Sequence, residues 1–443
     1  MRILSITAGA AGMYCGSCLH DNTLAAALRA QGHDVVLLPL YTPTLTDEEN
    51  QSEDRVFFGG ISVYLEQKLP LFRSTPAFLD KLLDHPALIK AASSGAISTD
   101  PRLLGDLTVS MLRGRDGFQH KEVDKLIAWV RAQRPFDVVA LPYTLLIALA
   151  EPLHEATGAP VTCGLQGEDL FLEGLSEADR RSSLELIRKH ERFVAAFIAV
   201  SDYYSSFMAR YLGIPAAKIR LAPLGITLDG HDASPRPRPE PFTVGYFARV
   251  APEKGLDVLV EAYLKLRLEK GLAAARLEVA GYLDPGHRPY LEKQRAVLEN
   301  AGLGAEFRYR GALGRAEKIR FLQGLSVLSV PTTYVEPKGL FLLEANANGV
   351  PFVQPRHGAF PEIAAKTGGG VLFEPGDAGA LADALLALAR DPARAAELGQ
   401  RGAAGVRREL SAARMAERTL EVYASVASDR AWQGKGAAGR TRC

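Results

Sequence analysis

The chain has 443 residues, which is too many for one ordinary hydrophobic core and predicts two domains. Hydrophobic residues make up 47% of the sequence and charged residues 23%, as in a soluble globular enzyme. The formal net charge of +1 argues against a nucleic-acid partner held by bulk electrostatics. No run of about twenty apolar residues is present, so no segment is expected to span a bilayer, and the short apolar stretch at the N-terminus is unlike a secretory signal. We therefore expect a cytoplasmic protein.

The first half of the sequence alternates between strand and helix patterns. Residues 2–8 predict a strand, and a glycine-rich loop at 9–16 leads into a helix that ends near Gly32, a suitable C-cap. With a second strand at 34–40 this is a βαβ unit, and its repetition predicts a parallel doubly wound sheet. The further predicted elements are strands at 56–65, 137–141, 160–165, 196–200 and 218–223 and helices at 121–132, 144–157, 177–195 and 203–211. His154, on the helix at 144–157, is expected to be exposed.

The cysteines do not form a recognisable metal site in the sequence. Cys15 and Cys18, in and just after the first loop, make a C-x-x-C pair, which invites a redox or zinc interpretation. A zinc site would need two further ligands, and no second C-x-x-C or H-x3-H pair exists to supply them. We expect two small apolar thiols in a tight turn, with a redox or metal role as the alternative.

A change of composition divides the sequence near residue 230. Residues 230–241 hold four prolines and few large apolar groups, which is typical of a linker. Asp391 before Pro392 is a good start signal for a later helix. The strand and helix rhythm restarts after the linker, with strands at 242–247, 276–280, 307–310, 327–330 and 352–354 and helices at 255–268, 288–300, 316–324, 340–348, 378–389, 392–407 and 412–426.

The strongest chemical signal is the segment 331–345, which begins at the end of a predicted strand and runs into a helix. In open α/β sheets ligands bind at the carboxyl ends of strands. Glu336 falls in the loop and Glu344 in the helix, so the two carboxylates can accept hydrogen bonds from hydroxyls at different ends of one ligand. Gly339 lets the backbone approach closely at the anion-attracting helix start. The alternative is two solvated glutamates that bracket a helix.

The second signal follows the first strand of the second half. Arg249 is a planar donor and Lys254 a mobile point charge, a suitable pair for a diphosphate. Neutralising a departing nucleoside diphosphate is what a transferase that uses no metal must do. As a lone motif the pair is weak, because surface charge is the usual reason for such spacing.

Together with the order of the segments, these motifs resemble those of the retaining glycosyltransferases of family four. The resemblance implies the GT-B fold, an α/β architecture of two Rossmann-like doubly wound domains that face each other across a cleft, with a C-terminal helix that crosses back to the first domain. The implied divisions are a domain at 1–228, a linker at 229–241, a domain at 242–410, the crossing helix at 411–427 and a polar tail at 428–443. The segments that carry the resemblance are 249–254, 279–281, 307–311, 336–344, 349–351, 358–362 and 370–377, with 32–35, 199–201 and 222–225 in the first half.

The resemblance also implies an activity and three catalytic residues. A hexose would pass from a nucleotide-diphosphate sugar, with a UDP- or GDP-sugar favoured, to an acceptor hydroxyl, with retention of configuration and without a metal. Arg249 and Lys254 would bind the diphosphate and stabilise the leaving group. Glu336 would hold hydroxyls of the transferred sugar.

Five further residues are implied to bind the donor. The backbone N–H groups of Gly339, Leu340 and Phe341 would help Glu336 to hold the sugar. Glu344 would hydrogen-bond the nucleotide ribose. Gly12 would let the first loop of the other domain reach the diphosphate.

The first domain departs from the family pattern near the reacting sugar. Gln166 stands where the family usually has a histidine, and a glutamine cannot take a proton near neutral pH. Either Glu168 or Asp169 supplies a carboxylate there, or the departing phosphate takes the acceptor's proton, which we favour. Gln166 and Glu168 are thus candidate sugar or acceptor contacts, and His20 could also line the acceptor site.

The expected partners are a nucleotide-sugar donor and a small-molecule, lipid or glycan acceptor. The basic run at 180–192 could make a weak peripheral contact with anionic lipid, although its interspersed acids favour a solvated helix. Two other classes of function stay open: a nucleotide-sugar epimerase or hydrolase on the same fold, and a non-catalytic nucleotide-sugar-binding protein.

Overall fold

The computed structural model describes residues 1–9, 16–58, 67, 101–237 and 239–429. The chain divides into two units. Unit 1 comprises Met1–Pro223 together with Met415–Cys443, and unit 2 comprises Leu224–Arg414. Each is an α/β unit built on a parallel sheet.

The sheet of unit 1 has six described strands in the order β2-β1-β3-β4-β5-β6, all parallel. They are β1 (Arg2–Thr7), β2 (Asp34–Pro39), β3 (Val138–Leu141), β4 (Val161–Leu165), β5 (Ala196–Ala199) and β6 (Ile219–Leu221). The strands are apolar because helices cover both faces of a parallel sheet, and Ile3, Val138 and Val161 are fully buried. The strand order reverses at β1, so the carboxyl ends of β1 and β3 border a ligand-binding position.

The described residues of unit 1 contain the five predicted helices, one with a change of type, and two further helices at 101–112 and 169–173. They are α1 (Gly16–Ala30), α2 (Pro101–Leu112), α3 (His120–Arg131), α4 (Ala150–Thr157), α5 (Asp169–Glu173), α6 (Glu177–His190) and α7 (Asp202–Leu212). The helix predicted at 144–157 is a 3-10 helix over Thr144–Leu149 followed by α4, which ends at Gly158 with φ +71°. Residues 56–58 of the strand predicted at 56–65 are not in a strand, and its remainder lies outside the described residues.

One prediction on α4 is wrong. His154 is buried, with its Nδ1 2.8 Å from the carbonyl oxygen of Ala159. The imidazole therefore closes the turn after the helix instead of facing solvent.

The sheet of unit 2 also has six described strands, in the order β12-β11-β10-β7-β8-β9, again parallel. They are β7 (Phe242–Phe247), β8 (Ala275–Ala280), β9 (Phe307–Tyr309), β10 (Val327–Leu328), β11 (Phe352–Pro355) and β12 (Gly370–Phe373). The reversal here is at β7, whose neighbours are β10 and β8. The loops that follow β7 and β10 therefore meet at one edge of the sheet.

The helices of unit 2 pack on this sheet. They are α8 (Leu256–Leu264), α9 (Arg288–Asn300), α10 (Arg315–Gln323), α11 (Leu340–Ala347), α12 (Phe360–Thr367), α13 (Ala378–Arg390) and α14 (Pro392–Glu409). The carboxylate of Asp391 accepts from the N–H of Arg394 at 2.9 Å, so the predicted start signal of α14 is a true cap. The proline-rich segment packs on the same unit, since Asn348 Nδ2 lies 2.8 Å from His231 Nδ1 and Gln400 donates to the carbonyl of Ala233.

The last helix, α15 (Ala412–Ser428), connects the two units. Its first three residues belong to unit 2, and from Met415 onward it belongs to unit 1, with Met415, Thr419 and Tyr423 buried. This confirms the predicted crossing of the C-terminal helix. None of the helices in the described ranges has the length and apolarity needed to cross a bilayer.

Candidate functional site

Two loops meet at the carboxyl edge of the unit 2 sheet, one after β7 and one after β10. Gly255 has φ +71°, and a Cβ on it would lie 1.9 Å from the carbonyl oxygen of Pro331. The N–H of Thr333 donates to the carbonyl of Glu253 at 3.1 Å. Only glycine allows this close approach, which brings the chain around residue 254 against the loop that contains Glu336.

Lys254 and Glu336 form an ion pair across these loops. The Lys254 Nζ lies 2.5 Å from Glu336 Oε2, and the two side chains are 16% and 7% exposed. The ammonium also lies 5.6 Å from the centroid of the Tyr334 ring, a cation–π contact. The structure thus brings together two of the three predicted catalytic residues.

The pair keeps the Glu336 carboxyl ionised in spite of its burial. Burial alone would raise the pKa of Glu336, but the charge and hydrogen bond of Lys254 outweigh it, with a further contribution from Lys338, so the pKa lies below its usual value. The backbone N–H of Lys338 also donates to Glu336 Oε1, at 3.3 Å. A carboxylate in this state only accepts hydrogen bonds, and the hydroxyl groups of a sugar can donate them.

Arg249, the third predicted catalytic residue, lies on the loop after β7 but pairs differently. Its guanidinium contacts the carboxylate of Glu253, and its side chain is 43% exposed. The Tyr246 hydroxyl donates to the Arg249 carbonyl at 3.1 Å and fixes the backbone at this point. Its donors are therefore directed by a partner on its own loop and are accessible to solvent.

Helix α11 begins four residues beyond Glu336, directly after Gly339. Gly339 has φ +67°, and a Cβ there would come within 2.8 Å of the Ile363 side chain. Leu340 and Phe341 form the first turn, where backbone N–H groups have no carbonyl partner within the helix. The predicted N–H donors are thus at a helix start close in sequence to the Lys254–Glu336 pair.

Glu344 is buried inside α11 and pairs with a residue that the sequence analysis missed. Its Oε1 lies 2.6 Å from the Nζ of Lys318 on α10, and the two side chains are 7% and 5% exposed. Lys318 lies on the same face of α10 as the buried Leu322. A lysine on the apolar face of a helix was therefore the feature of the sequence that could have indicated a buried ion pair. The structure therefore links Glu344 with Lys318 rather than with Lys254 or Arg249.

In unit 1, His20 and Gln166 meet through a residue that was also missed, Asp21. The Nε2 of Gln166 donates to Asp21 Oδ1 at 3.0 Å and to the carbonyl of Pro142 at 3.0 Å. His20 Nδ1 lies 3.0 Å from the same carboxylate oxygen. Both neighbours of the Gln166 nitrogen are acceptors, so the amide cannot be flipped.

Glu168 lies close to Gln166 in the loop after β4 and forms hydrogen bonds that stabilise this loop. One carboxylate oxygen accepts from the hydroxyl of Thr144 at 3.0 Å, and the other accepts from the N–H of Gln166 at 2.8 Å and from the hydroxyl of Tyr204 at 3.2 Å. Burial raises the pKa of Glu168 although its hydrogen bonds oppose this. With both oxygens engaged inside unit 1, Glu168 holds Gln166 in place.

Gly12 and Cys15 lie outside the described residues. Within the described ranges, no group of three or more His, Cys, Asp or Glu side chains could hold a metal ion. Cys18 and Cys163 are buried thiols in unit 1.

Comparison with known proteins gives matches to both halves of the chain. A family model described as "Glycosyl transferase 4-like domain" matches residues 22–225, and one described as "Glycosyl transferases group 1" matches residues 230–404. A GDP-mannose-dependent alpha-(1-6)-phosphatidylinositol monomannoside mannosyltransferase of Mycobacterium tuberculosis is 29% identical over 46% of this chain and 54% of its own length. The chain thus matches about half the length of that relative.

Two further comparisons cover nearly the whole chain. A D-inositol 3-phosphate glycosyltransferase of Pseudarthrobacter chlorophenolicus is 24% identical over 88% of this chain and 94% of its own length. The solved structure of sucrose-phosphate synthase from Thermosynechococcus elongatus has a TM-score of 0.68 at 18% identity, covering 96% of this chain and 99% of that one. Taken with the two family models, these matches show that the chain belongs to the family-four glycosyltransferases of the GT-B fold.

Proposed function

We propose that this protein is a retaining, metal-independent glycosyltransferase that takes a hexose from a nucleotide-diphosphate sugar. The observation that carries the proposal is the Lys254–Glu336 pair at the carboxyl edge of the unit 2 sheet, beside the start of α11. Ligands of open α/β sheets bind at this edge. Family membership supports the reaction class, and the pair supplies the groups that the reaction needs.

The roles of the two side chains follow from their charges. Glu336 is ionised and buried, so it can accept hydrogen bonds from two hydroxyls of the hexose. Lys254 can share its three N–H donors between Glu336 and an oxygen of the diphosphate. Arg249, with accessible donors, can add a second cation to that diphosphate, and Glu344 would contact the nucleotide ribose.

The transfer step then needs no protein base. The bond between C1 of the hexose and the diphosphate oxygen breaks, and a bond from C1 to the acceptor oxygen forms on the same face of the sugar. The acceptor proton passes to the departing diphosphate. The two cations stabilise the negative charge that develops on this leaving group. Gln166 cannot take a proton, which is consistent with this route.

The relatives' names suggest substrates. One relative is named for GDP-mannose and a phosphatidylinositol mannoside, and another for D-inositol 3-phosphate. We therefore propose a GDP- or UDP-hexose donor and an acceptor that carries a polyol or sugar hydroxyl, attached to a lipid or free. A cytoplasmic protein with weak peripheral membrane contact would fit a lipid acceptor.

A turnover assay tests the proposal. The protein is incubated with UDP- and GDP-hexoses and an inositol or mannoside acceptor in the presence of EDTA, and the anomeric configuration of the product is read by NMR. We expect transfer with retention, and we expect Glu336→Gln and Lys254→Ala each to lower the rate at least ~100-fold. Lys366→Ala, which removes a half-buried cation at the longer distance of 3.9 Å from Glu362, is the control and should be neutral.

Four results would contradict the proposal. An inverted product would remove the retaining mechanism, and loss of turnover in EDTA would remove metal independence. Efficient release of sugar without any acceptor would indicate an epimerase or hydrolase. Tight donor binding without turnover would indicate a binding protein.

A further inference from the structure

A cavity in unit 1 is lined by buried polar groups that include Asp21, to which the proposed transfer step assigns no role. It lies toward the carboxyl ends of β1, β3, β4 and β5, and side chains of α1 and α15, among them Thr419 and Tyr423, also line it. The volume is about 40 Å³, enough for two or three water-sized groups. Leu24 and Ile198 contribute apolar walls.

Two acceptor atoms on this cavity lack a donor. Asp21 is 6% exposed and Gln166 is 5% exposed, and no described protein group donates to Asp21 Oδ2 or Gln166 Oε1. Both side chains line the cavity. Since a buried acceptor without a hydrogen bond costs free energy, and a carboxylate oxygen more than most, the two atoms call for donors that no described protein group supplies.

The rest of the hydrogen-bond network holds these two atoms in place. Gln166 donates its two amide hydrogens to Asp21 Oδ1 and to the Pro142 carbonyl. These two hydrogen bonds fix the orientation of the amide and therefore the position of Gln166 Oε1. His20 adds a second contact to Asp21 Oδ1. Burial raises the pKa of Tyr423, and the charge of Asp21 raises it further, so the Tyr423 hydroxyl stays protonated beside the carboxylate.

We propose that this cavity binds two neighbouring hydroxyls of a polyol, one donating to Asp21 Oδ2 and the other to Gln166 Oε1. The cavity is too small for a sugar ring, so it takes a vicinal diol while the rest of the ligand lies outside. On the proposed function, on which this part of the inference rests, the diol belongs to the acceptor. Asp21 and Gln166 then select acceptors that carry a 1,2-diol.

The test uses two isomeric diols on the full chain. Saturation-transfer NMR is recorded with 1,2-propanediol and with 1,3-propanediol, which share a composition but differ in hydroxyl spacing. We expect saturation to be transferred from the protein to 1,2-propanediol only. Asp21→Asn, which places an N–H donor where the ligand's donor should lie, is expected to weaken binding at least ~10-fold, as for one hydrogen bond to a charged group. Asp137→Asn, at the amino end of β3, makes the same chemical change elsewhere and should have no effect.

A second variant guards against misfolding. Ala222→Val adds volume to the cavity wall, so it should abolish binding of 1,2-propanediol while the thermal unfolding temperature stays near that of the unaltered chain. Equal signals from the two isomers, or unchanged binding in Asp21→Asn and Ala222→Val, would overturn the inference and leave a cavity that holds only water. Donor binding and turnover are measured in parallel. If the unaltered chain shows neither donor binding nor turnover, the proposed function is refuted. If it shows both but does not bind 1,2-propanediol, this inference alone is refuted.

Discussion

Replacement of Lys254 by methionine should destabilise unit 2 by leaving a buried carboxylate without its cation. Methionine keeps most of the apolar stem, so the change isolates the charge. Breaking a fully buried ion pair costs about 3–5 kcal/mol, and the partial exposure of Lys254 reduces this to about 2–3 kcal/mol. Glu336→Gln leaves a cation that can reach water, so it should cost less, about 1 kcal/mol. The double variant should be more stable than the sum of the single changes predicts.

Urea unfolding of the four proteins measures these differences. Because a chain with two units need not unfold in one step, the transition of unit 2 is followed separately, for example with a fluorophore attached to that unit. Lys366→Met is the matched control, since its half-buried pair with Glu362, at 3.9 Å within one helix, should contribute less than ~0.5 kcal/mol. A Lys254→Met chain within ~0.5 kcal/mol of the unaltered one would refute the reasoning, because the ion pair would then contribute nothing measurable.

The remaining predictions concern pH, backbone space and the second buried pair. Because Lys254 lowers the pKa of Glu336, the stability that this carboxylate contributes is present above its unfolded-state pKa and is lost as the pH falls through its folded-state pKa. In Lys254→Met the burial of Glu336 dominates, so the free energy of unfolding should change with pH in the opposite direction. Acid unfolding curves of the two proteins measure this difference. Gly358→Ala would place a Cβ 2.3 Å from the Glu336 carbonyl at φ +58° and should abolish donor binding in calorimetry, whereas Gly311→Ala, at φ +75° with open space, should cost only about 1 kcal/mol. Lys318→Met should destabilise unit 2 by about 3–5 kcal/mol in urea, and equal stability would contradict a buried pair with Glu344.

Local sequence patterns predicted two α/β halves built on parallel sheets, whereas the GT-B fold itself was implied by the resemblance to a family. The βα rhythm and the start signals report backbone preferences within a few residues, and the Asp391 cap is an example in which the predicted contact forms. The two loop segments of the candidate site were predicted in the same way, because the end of a strand and the start of a helix are also recognised from a few neighbouring residues. The exposed position expected for His154 was wrong because a polar side chain on a short helix can hydrogen-bond a carbonyl beyond its end.

Local patterns do not predict contacts between residues that are far apart in the sequence. Lys254 and Glu336 are 82 residues apart, and nothing local in either segment shows that they touch. Lys318 and Asp21 were missed because each is an ordinary charged residue until its burial and partner are known. Their importance comes from the tertiary structure, which places a charge where water cannot solvate it.

The most direct test of the donor site is calorimetric titration of nucleoside diphosphates and nucleotide sugars. UDP, GDP and their hexose derivatives are titrated into the unaltered chain, Lys254→Met and Glu336→Gln. We predict that Lys254→Met weakens binding of both ligand classes, because the ammonium contacts the shared diphosphate. Glu336→Gln should weaken the nucleotide sugar at least ~10-fold but the free diphosphate by less than ~3-fold, because its carboxylate contacts only the sugar. Equal loss of both ligands in Glu336→Gln, or unaltered binding in Lys254→Met, would contradict the account.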